Sequence, residues 1–207
     1  MNPSYVLYGR PGSGSVAVQI ALEEIGARYE RIWVGREPDD VARYRLLNAA
    51  GRVPALQLPD GVILAESAAI LIHLALLHPE ARLAPTPGTT GHGEFLQWMV
   101  FLSANLYEAA LRIFYPARYS SRGEPDAEAI RRQGMADFLE HASVIGRRLD
   151  PYVLGATYSI ADPYLYMLTS WYPEPAQLEA QLPAIAAHAA RIRTRPAVIK
   201  VEADNAS

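Results

Sequence analysis

The stretch Pro11-Gly12-Ser13-Gly14-Ser15 places two hydroxyls in a glycine-rich turn. Ahead of it, Tyr5 to Tyr8 reads as a short buried strand, and after it SVAVQIALEEIG reads as a helix ending at Gly26. A helix N-terminus carries unpaired N–H groups and a partial positive charge, so such a turn can hold an anion. A serine that only caps the helix explains the same residues, and a capping hydroxyl can also face a ligand. Gly12 to Ala17 also fits the G-x-G-x-x-A spacing of dinucleotide sites. That reading needs an acid after the second strand, where the chain has Trp33-Val34-Gly35-Arg36, and further parallel strands. A second pair, Glu66-Ser67, joins a strand end to a helix start. Ser67 is expected to cap that helix, and Glu66 adds a carboxylate beside its free amides. Adjoining anion and cation sites suit an amino-acid head group, with its carboxylate on the amides and Ser67 and its ammonium on Glu66.

Val53-Pro54 opens VPALQL, which alternates like a half-buried strand. Proline cannot donate to a sheet ladder, so it belongs at an edge or a strand start. If the Val53–Pro54 bond is cis, the chain turns there and the N–H and C=O of Val53 point outward. A peptide-like ligand then docks alongside as a short antiparallel strand.

The elements that must position these groups follow from patterning. RYERIWV alternates as a second strand, and PDDVARYRLLN reads as a short helix with Pro38 early and two acids in its first turn. VPALQL and VILA flank Pro59-Asp60-Gly61, a hairpin signal, and ESAAILIHLALLH closes this half as a helix. The order is β-α-β-α-β-β-α. PEARLAPTPGTTG, near residues 79–90, is a linker by its prolines and small residues. Beyond it GEFLQWMVFLSANLYEAALRIF, PDAEAIRRQGMADFLEHASVIGRRLD, SIADPYLYMLTSWY and PAIAAHAARIRTR read as helices. The first is apolar on most faces and is expected to be largely buried. The expected division is an α/β domain over residues 1–80, a linker over 81–90 and an all-helical domain over 91–207. Ser159 and Asp162 form a relative of the capping box, with Tyr158 and Pro163 placed as a hydrophobic staple, and are read as folding residues.

Composition narrows the chemistry. The chain has 207 residues, half of them apolar, and a net charge of −3 with no basic block, so no nucleic-acid partner is expected. It contains no cysteine, which excludes disulfides, thiolate metal sites and a protein thiol nucleophile. His73, His78, His92, His141 and His188 share no ligand spacing, so no metal is expected. The longest apolar stretch, AAILIHLALL, is far short of the roughly 18 residues a membrane span needs. The N-terminus shows no basic region followed by an apolar run, and a cytoplasmic location is expected.

Along almost its whole length the chain resembles the glutathione S-transferase family. GRVPAL resembles the family segment whose proline is cis and whose preceding valine pairs with the cysteinyl backbone of glutathione. ESAAIL resembles its γ-glutamyl-binding segment, and YSIADPYLY the start of a helix in its second domain. SANLY is similar to a segment of bacterial members. The resemblance implies a thioredoxin-like first domain that binds glutathione as co-substrate through Arg52, Val53, Pro54, Glu66 and Ser67. It also implies a helical second domain that supplies the wall for an electrophile, and a homodimer. Candidates for that wall are Tyr107, Phe114, Tyr115, Tyr119 and Trp171.

Beta-like bacterial members carry a cysteine near Gly14; its absence leaves a serine to activate the thiol, as in delta-, theta- and zeta-like members. Ser13 and Ser15 are both candidates. Ser15 is favoured because it combines a hydroxyl with the helix start, and Tyr8 is a third choice. A free thiol has a pKa near ~8.5, so a donated hydrogen bond and a helix N-terminus both favour its thiolate. The implied reaction is attack of that thiolate on a hydrophobic electrophile. The same site would serve glutathione-dependent reduction of a peroxide or disulfide, and the fold without turnover would serve as a binding scaffold. Arg52 stands where many relatives have Gln or Lys, which leaves the contact to the glycine carboxylate open.

Overall fold

A computed structural model describes residues 4–206. β1 (Tyr5–Gly9) alternates buried and half-buried residues, and leads through the PGSGS turn into α1 (Ser15–Glu24). Gly26 at φ +64° ends α1: its N–H bonds the Glu23 carbonyl at 3.1 Å and the Ala27 N–H bonds Leu22 at 2.9 Å. This left-handed cap is a position that glycine adopts without steric cost. β2 (Tyr29–Trp33), α2 (Pro38–Arg45), β3 (Ala55–Gln57), β4 (Ile63–Ala65) and α3 (Ser67–Leu77) follow in the expected order. At the hairpin, Gly61 has φ +90° and the Asp60 carboxylate accepts the Val62 N–H at 3.0 Å.

The sheet order is β2-β1-β3-β4, with β1 and β2 parallel and the other pairings antiparallel. A dinucleotide fold needs the parallel sheet to continue, so that reading of the glycine turn fails here. Leu7 and Leu56, register partners in adjacent strands, are fully buried, as are Ile70, Leu71 and Leu74 of α3. α1 is buried nearly all round because the sheet, α3 and the C-terminal helix each take part of its surface.

The second unit runs from Pro85 to Arg193. α4 (Thr90–Phe101) passes through a π-helical stretch, Leu102–Tyr107, into α5 (Glu108–Phe114), and a 3₁₀ turn spans Pro116–Tyr119. α6 (Glu124–Gly146), α7 (Ala161–Ser170), α8 (Pro175–Gln181) and α9 (Pro183–Arg193) complete it. The long helix expected over residues 93–114 is divided into α4, the π-helical stretch and α5, and it buries a stripe from Phe95, Trp98 and Met99 through Leu102 and Leu106 to Ala109, Ala110 and Ile113, while Val100 is 59% exposed. The fully surrounded helix is α7, in which every residue from Ala161 to Thr169 is buried. No helix among the described residues is long and apolar enough to cross a membrane.

The expected boundary shifts at both ends of the helical region. The division falls between Ala84 and Pro85, and the segment from Thr194 onward packs with the first unit. That segment carries α10 (Pro196–Asn205), which the sequence reading did not anticipate, as it did not anticipate α8. Polar contacts fix α10 there. Arg195 grips Glu24 with two hydrogen bonds of 2.6 and 2.8 Å, and Lys200 meets Glu23 at 2.8 Å. The buried Gln19 amide donates to Asp204 at 3.0 Å and accepts from Asn205 at 3.0 Å.

Candidate functional site

Strand register brings three separate stretches to one end of the sheet. Tyr8 is opposite Ala55, and Ala55 is opposite Ala65, both in antiparallel pairs. β1 ends at Gly9, β3 begins at Ala55 and β4 ends at Ala65, all at this end of the sheet. The PGSGS turn, the Val53-Pro54 step and the start of α3 are therefore neighbours. The Val53–Pro54 peptide bond is cis, and Val53 lies outside both ladders, whose pairing with β3 begins at Ala55.

Each stretch is held by groups that the sequence did not single out. The Arg52 carbonyl accepts from the Tyr44 hydroxyl at 3.0 Å and from the Asn48 amide at 2.7 Å, which pins the loop before Val53. Burial raises the Tyr44 phenol above its ordinary value, so it stays a neutral donor. Arg52's own side chain is exposed. Arg10 anchors the other side: its guanidinium donates to the carbonyls of Val34 at 3.0 Å and Gly35 at 3.1 Å. The signal for Tyr44 and Asn48 was their place eight and four residues before Arg52, which only the tertiary loop makes meaningful.

The two serines differ in what they can reach. Ser15 is 1% exposed, and its hydroxyl accepts the Arg10 N–H at 3.2 Å and donates to the Arg10 carbonyl at 3.0 Å. A Cβ on Gly9 would lie 2.5 Å from Ser15 Oγ, so the strand end packs directly on that hydroxyl. Ser13 is half-buried; its Oγ lies 2.7 Å from the Arg10 carbonyl and 2.9 Å from Ser15 Oγ. The Ser15 hydroxyl closes the turn, and Ser13 is the more exposed of the two. Neither residue is the cap of α1, a position held by Gly14. Tyr8 is half-buried on the opposite sheet face, its ring centroid 6.2 Å from that of Tyr44.

Ser67 is likewise not the cap of α3 but its first residue; the cap is Glu66. Ser67 is buried, whereas Glu66 is exposed. Glu66 holds φ +67°, ψ 111°, a left-handed conformation costly for a residue with a Cβ. The Ile70 N–H makes the first helical bond, to the Glu66 carbonyl, so the amides of residues 67–69 have no intrahelical acceptor. An exposed carboxylate and a helix N-terminus stand side by side.

In the second unit the candidate aromatics do not form one wall. Tyr107 packs edge-on against Trp171, centroids 5.2 Å apart. Tyr119 donates to Glu108 at 2.9 Å beneath the Arg112 guanidinium. Phe114 and Tyr115, both exposed, line a surface depression with Arg118, Glu124 and Arg131.

Comparison with known proteins places this arrangement. Residues 15–77 match the model of the glutathione S-transferase N-terminal domain. A crystal structure of a glutathione transferase homologue from Sulfitobacter, with bound glutathione, shares 30% identity over 98% of each chain with a TM-score of 0.89. The chain belongs to the glutathione S-transferase family. A sphingomonad member of the family, crystallised with glutathione, is 29% identical with a TM-score of 0.81 over 97% of this chain and 98% of its own. Glutathione S-transferase GstA of Escherichia coli O157:H7 is 28% identical over 93% of this chain and 94% of its own. As a family member the chain has the thioredoxin-like first unit and the helical second unit that the resemblance implied.

Proposed function

We propose that this family member binds glutathione at the end of the sheet and joins it, through its sulfur, to an electrophile. The observation that supports the reading is the sheet register, which brings the end of β1, the start of β3 and the end of β4 together, and the segments carrying Ser13, Val53, Glu66 and Ser67 adjoin those strand ends. The γ-glutamyl carboxylate meets the α3 amides and Ser67, and its ammonium meets Glu66. The cysteinyl backbone pairs with Val53 as a short antiparallel strand. This directs the sulfur toward the PGSGS turn. There Ser13 rotates its O–H from the Arg10 carbonyl to the sulfur, while Ser15 keeps that carbonyl satisfied. The thiol proton leaves to solvent, the thiolate sulfur bonds to the electrophilic carbon, and a leaving group departs from that carbon with its electron pair. Serine donates throughout and is never deprotonated.

The test is a titration of the thiolate absorbance of bound glutathione in wild type, Ser13→Ala and Ser15→Ala. Removing one donor destabilises only the charged form, so Ser13→Ala should raise the midpoint by about one pH unit, roughly tenfold less thiolate at neutral pH. Its glutathione affinity, read by calorimetry, should stay near wild type. Ser15→Ala should instead lower thermal stability, because it leaves the Arg10 N–H without its acceptor. Identical titration curves in all three proteins would exclude a serine donor.

We infer, too, that the protein works as a two-fold homodimer. Support comes from exposed apolar side chains, Val62 and Leu77 in the first unit and Val100 in the second, each at least half exposed. Light scattering at micromolar concentration should return twice the chain mass; the mass of one chain would count against it.

A further inference from the structure

The end of the sheet carries a fixed charge that the transfer described above does not use. Arg10 joins β1 to the PGSGS turn and is half-buried. Its carbonyl is the hub of that turn, taking the Ser13 hydroxyl at 2.7 Å and the Ser15 hydroxyl at 3.0 Å. Its guanidinium donates from Nε to the Val34 carbonyl at 3.0 Å and from Nη2 to the Gly35 carbonyl at 3.1 Å. Two neutral acceptors hold the planar group in place and leave its charge uncompensated. Arg10 makes no ion pair among the described residues. Asp40, which stands beside Gly35, is taken by Arg43 at 2.7 Å.

That charge acts on the groups around it. Burial raises the Tyr44 phenol, and the Asn48 amide and the Arg10 guanidinium both pull it down. Tyr44 donates to the carbonyl of Arg52, one residue before Val53. Arg10 therefore belongs by its backbone to the serine turn, and by its field to the loop that presents Val53. The cysteinyl sulfur is placed between those two stretches. The other arginines around α2 are less suited. Arg36, Arg45 and Arg52 are exposed, where ions in solution screen a charge beyond about 10 Å, and Arg43 is already paired. A half-buried guanidinium is screened less and keeps its charge at every working pH.

We propose that the Arg10 guanidinium stabilises the glutathione thiolate through its field, without touching the sulfur. Resting on the transferase reading above, it complements Ser13. The serine donates the hydrogen bond, and Arg10 supplies a positive charge that favours the ionised thiol over the neutral one. The thiol proton still leaves to solvent, and Arg10 gives up none of its own. A unit charge about 10 Å away moves an ionisation by about one pH unit at an effective permittivity of about 20. That is as large as the effect expected of the serine donor, so each should be visible alone.

The test is the pH titration of bound glutathione in the full-length protein, read by thiolate absorbance. Arg10→Gln should raise the midpoint by about one pH unit, roughly tenfold less thiolate at neutral pH. Arg10→Lys keeps a positive charge and should recover most of that shift. Arg36→Gln, which removes an exposed charge from the same loop that holds Arg10, should leave the midpoint where it is. S-methylglutathione has no sulfur proton to lose, and calorimetry should find it bound equally by wild type and Arg10→Gln. Arg10→Met, with an apolar stem and no charge, repeats the test should the glutamine variant fail to fold. An unmoved midpoint in the neutral variants overturns the inference. So does an equal rise in the lysine and glutamine variants, which would trace to the lost grip on Val34 and Gly35. Weaker S-methylglutathione binding with an unmoved midpoint would give Arg10 to another part of the peptide, and overturns it as well. If wild type binds no glutathione, the transferase reading fails and this inference falls with it; glutathione that binds and ignores Arg10 sinks this inference alone.

Discussion

Replacing Asp162 by alanine should cost the helical unit about 3–5 kcal/mol, because several buried donors lose their acceptor at once, each at about 1–3 kcal/mol. The carboxylate is fully buried and accepts the Val153 N–H at 2.8 Å, the Ser159 N–H at 2.8 Å and the Ser159 hydroxyl at 3.3 Å. His188, itself 1% exposed, meets it through Nε2 at 3.0 Å. One side chain therefore ties the start of α7 to the preceding loop and to α9. Alanine would strand all of these donors in a region closed to water, and each orphan costs far more than its bond contributes. Asp162→Asn keeps the volume and one acceptor oxygen but turns an NH₂ toward a donor, so it should lose less. Trp98 and Trp171 both lie in this unit and report its unfolding in urea. A midpoint shift equivalent to less than about 1 kcal/mol for the alanine variant would show that the network is not what holds α7 in place.

The second large effect is expected at Glu66. Glu66→Gln should weaken glutathione by about 1–3 kcal/mol, or roughly 5- to 150-fold, with Ser67→Ala in the same range. The argument is the backbone as much as the charge. Glu66 sits exposed at φ +67°, where a side chain costs on the order of 1–2 kcal/mol, and its carboxylate makes no ion pair among the described residues. Such strain at an exposed position is sensible only if the carboxylate must be aimed, here at the ammonium of the γ-glutamyl group. Glutamine preserves the shape and removes the charge, so stability should change little while affinity falls. Glycine should raise stability and still bind weakly, which separates the strain from the function. Calorimetric affinities equal to wild type in both Glu66→Gln and Ser67→Ala would remove this end of the sheet as the γ-glutamyl site.

Local patterning made much of the first unit readable. Strands and helices whose faces alternate, a glycine past a helix end and an Asp-Gly turn each act through nearest neighbours, and α1, α3 and the β3–β4 hairpin lie where those signals place them. The capping box at Ser159 was readable for the same reason, and Asp162 does reach back to the Ser159 N–H, although helical bonding starts one residue later. Its partner His188, twenty-six residues on, was not: read in sequence it is one of several scattered histidines, and only the fold sets it against a buried carboxylate. The alternative uses of the glycine turn were separable only by strand direction, which depends on how β3 returns along β1.

The sequence by itself determined the order of elements, the absence of any protein thiol and the residue types gathered for chemistry, because those depend on composition and on spacings within a turn or two. Tertiary structure decided which serine is the more exposed, since Gly9 and Arg10 close over Ser15 while Ser13 is half-buried. It decided that the last helix belongs with the first unit, because its ion pairs to Glu23 and Glu24 bridge more than 170 residues of chain. It also decided which arginines are ion-paired and which are not. Exposure and charge pairing are properties of packed surfaces, and no spacing rule along a single chain encodes them.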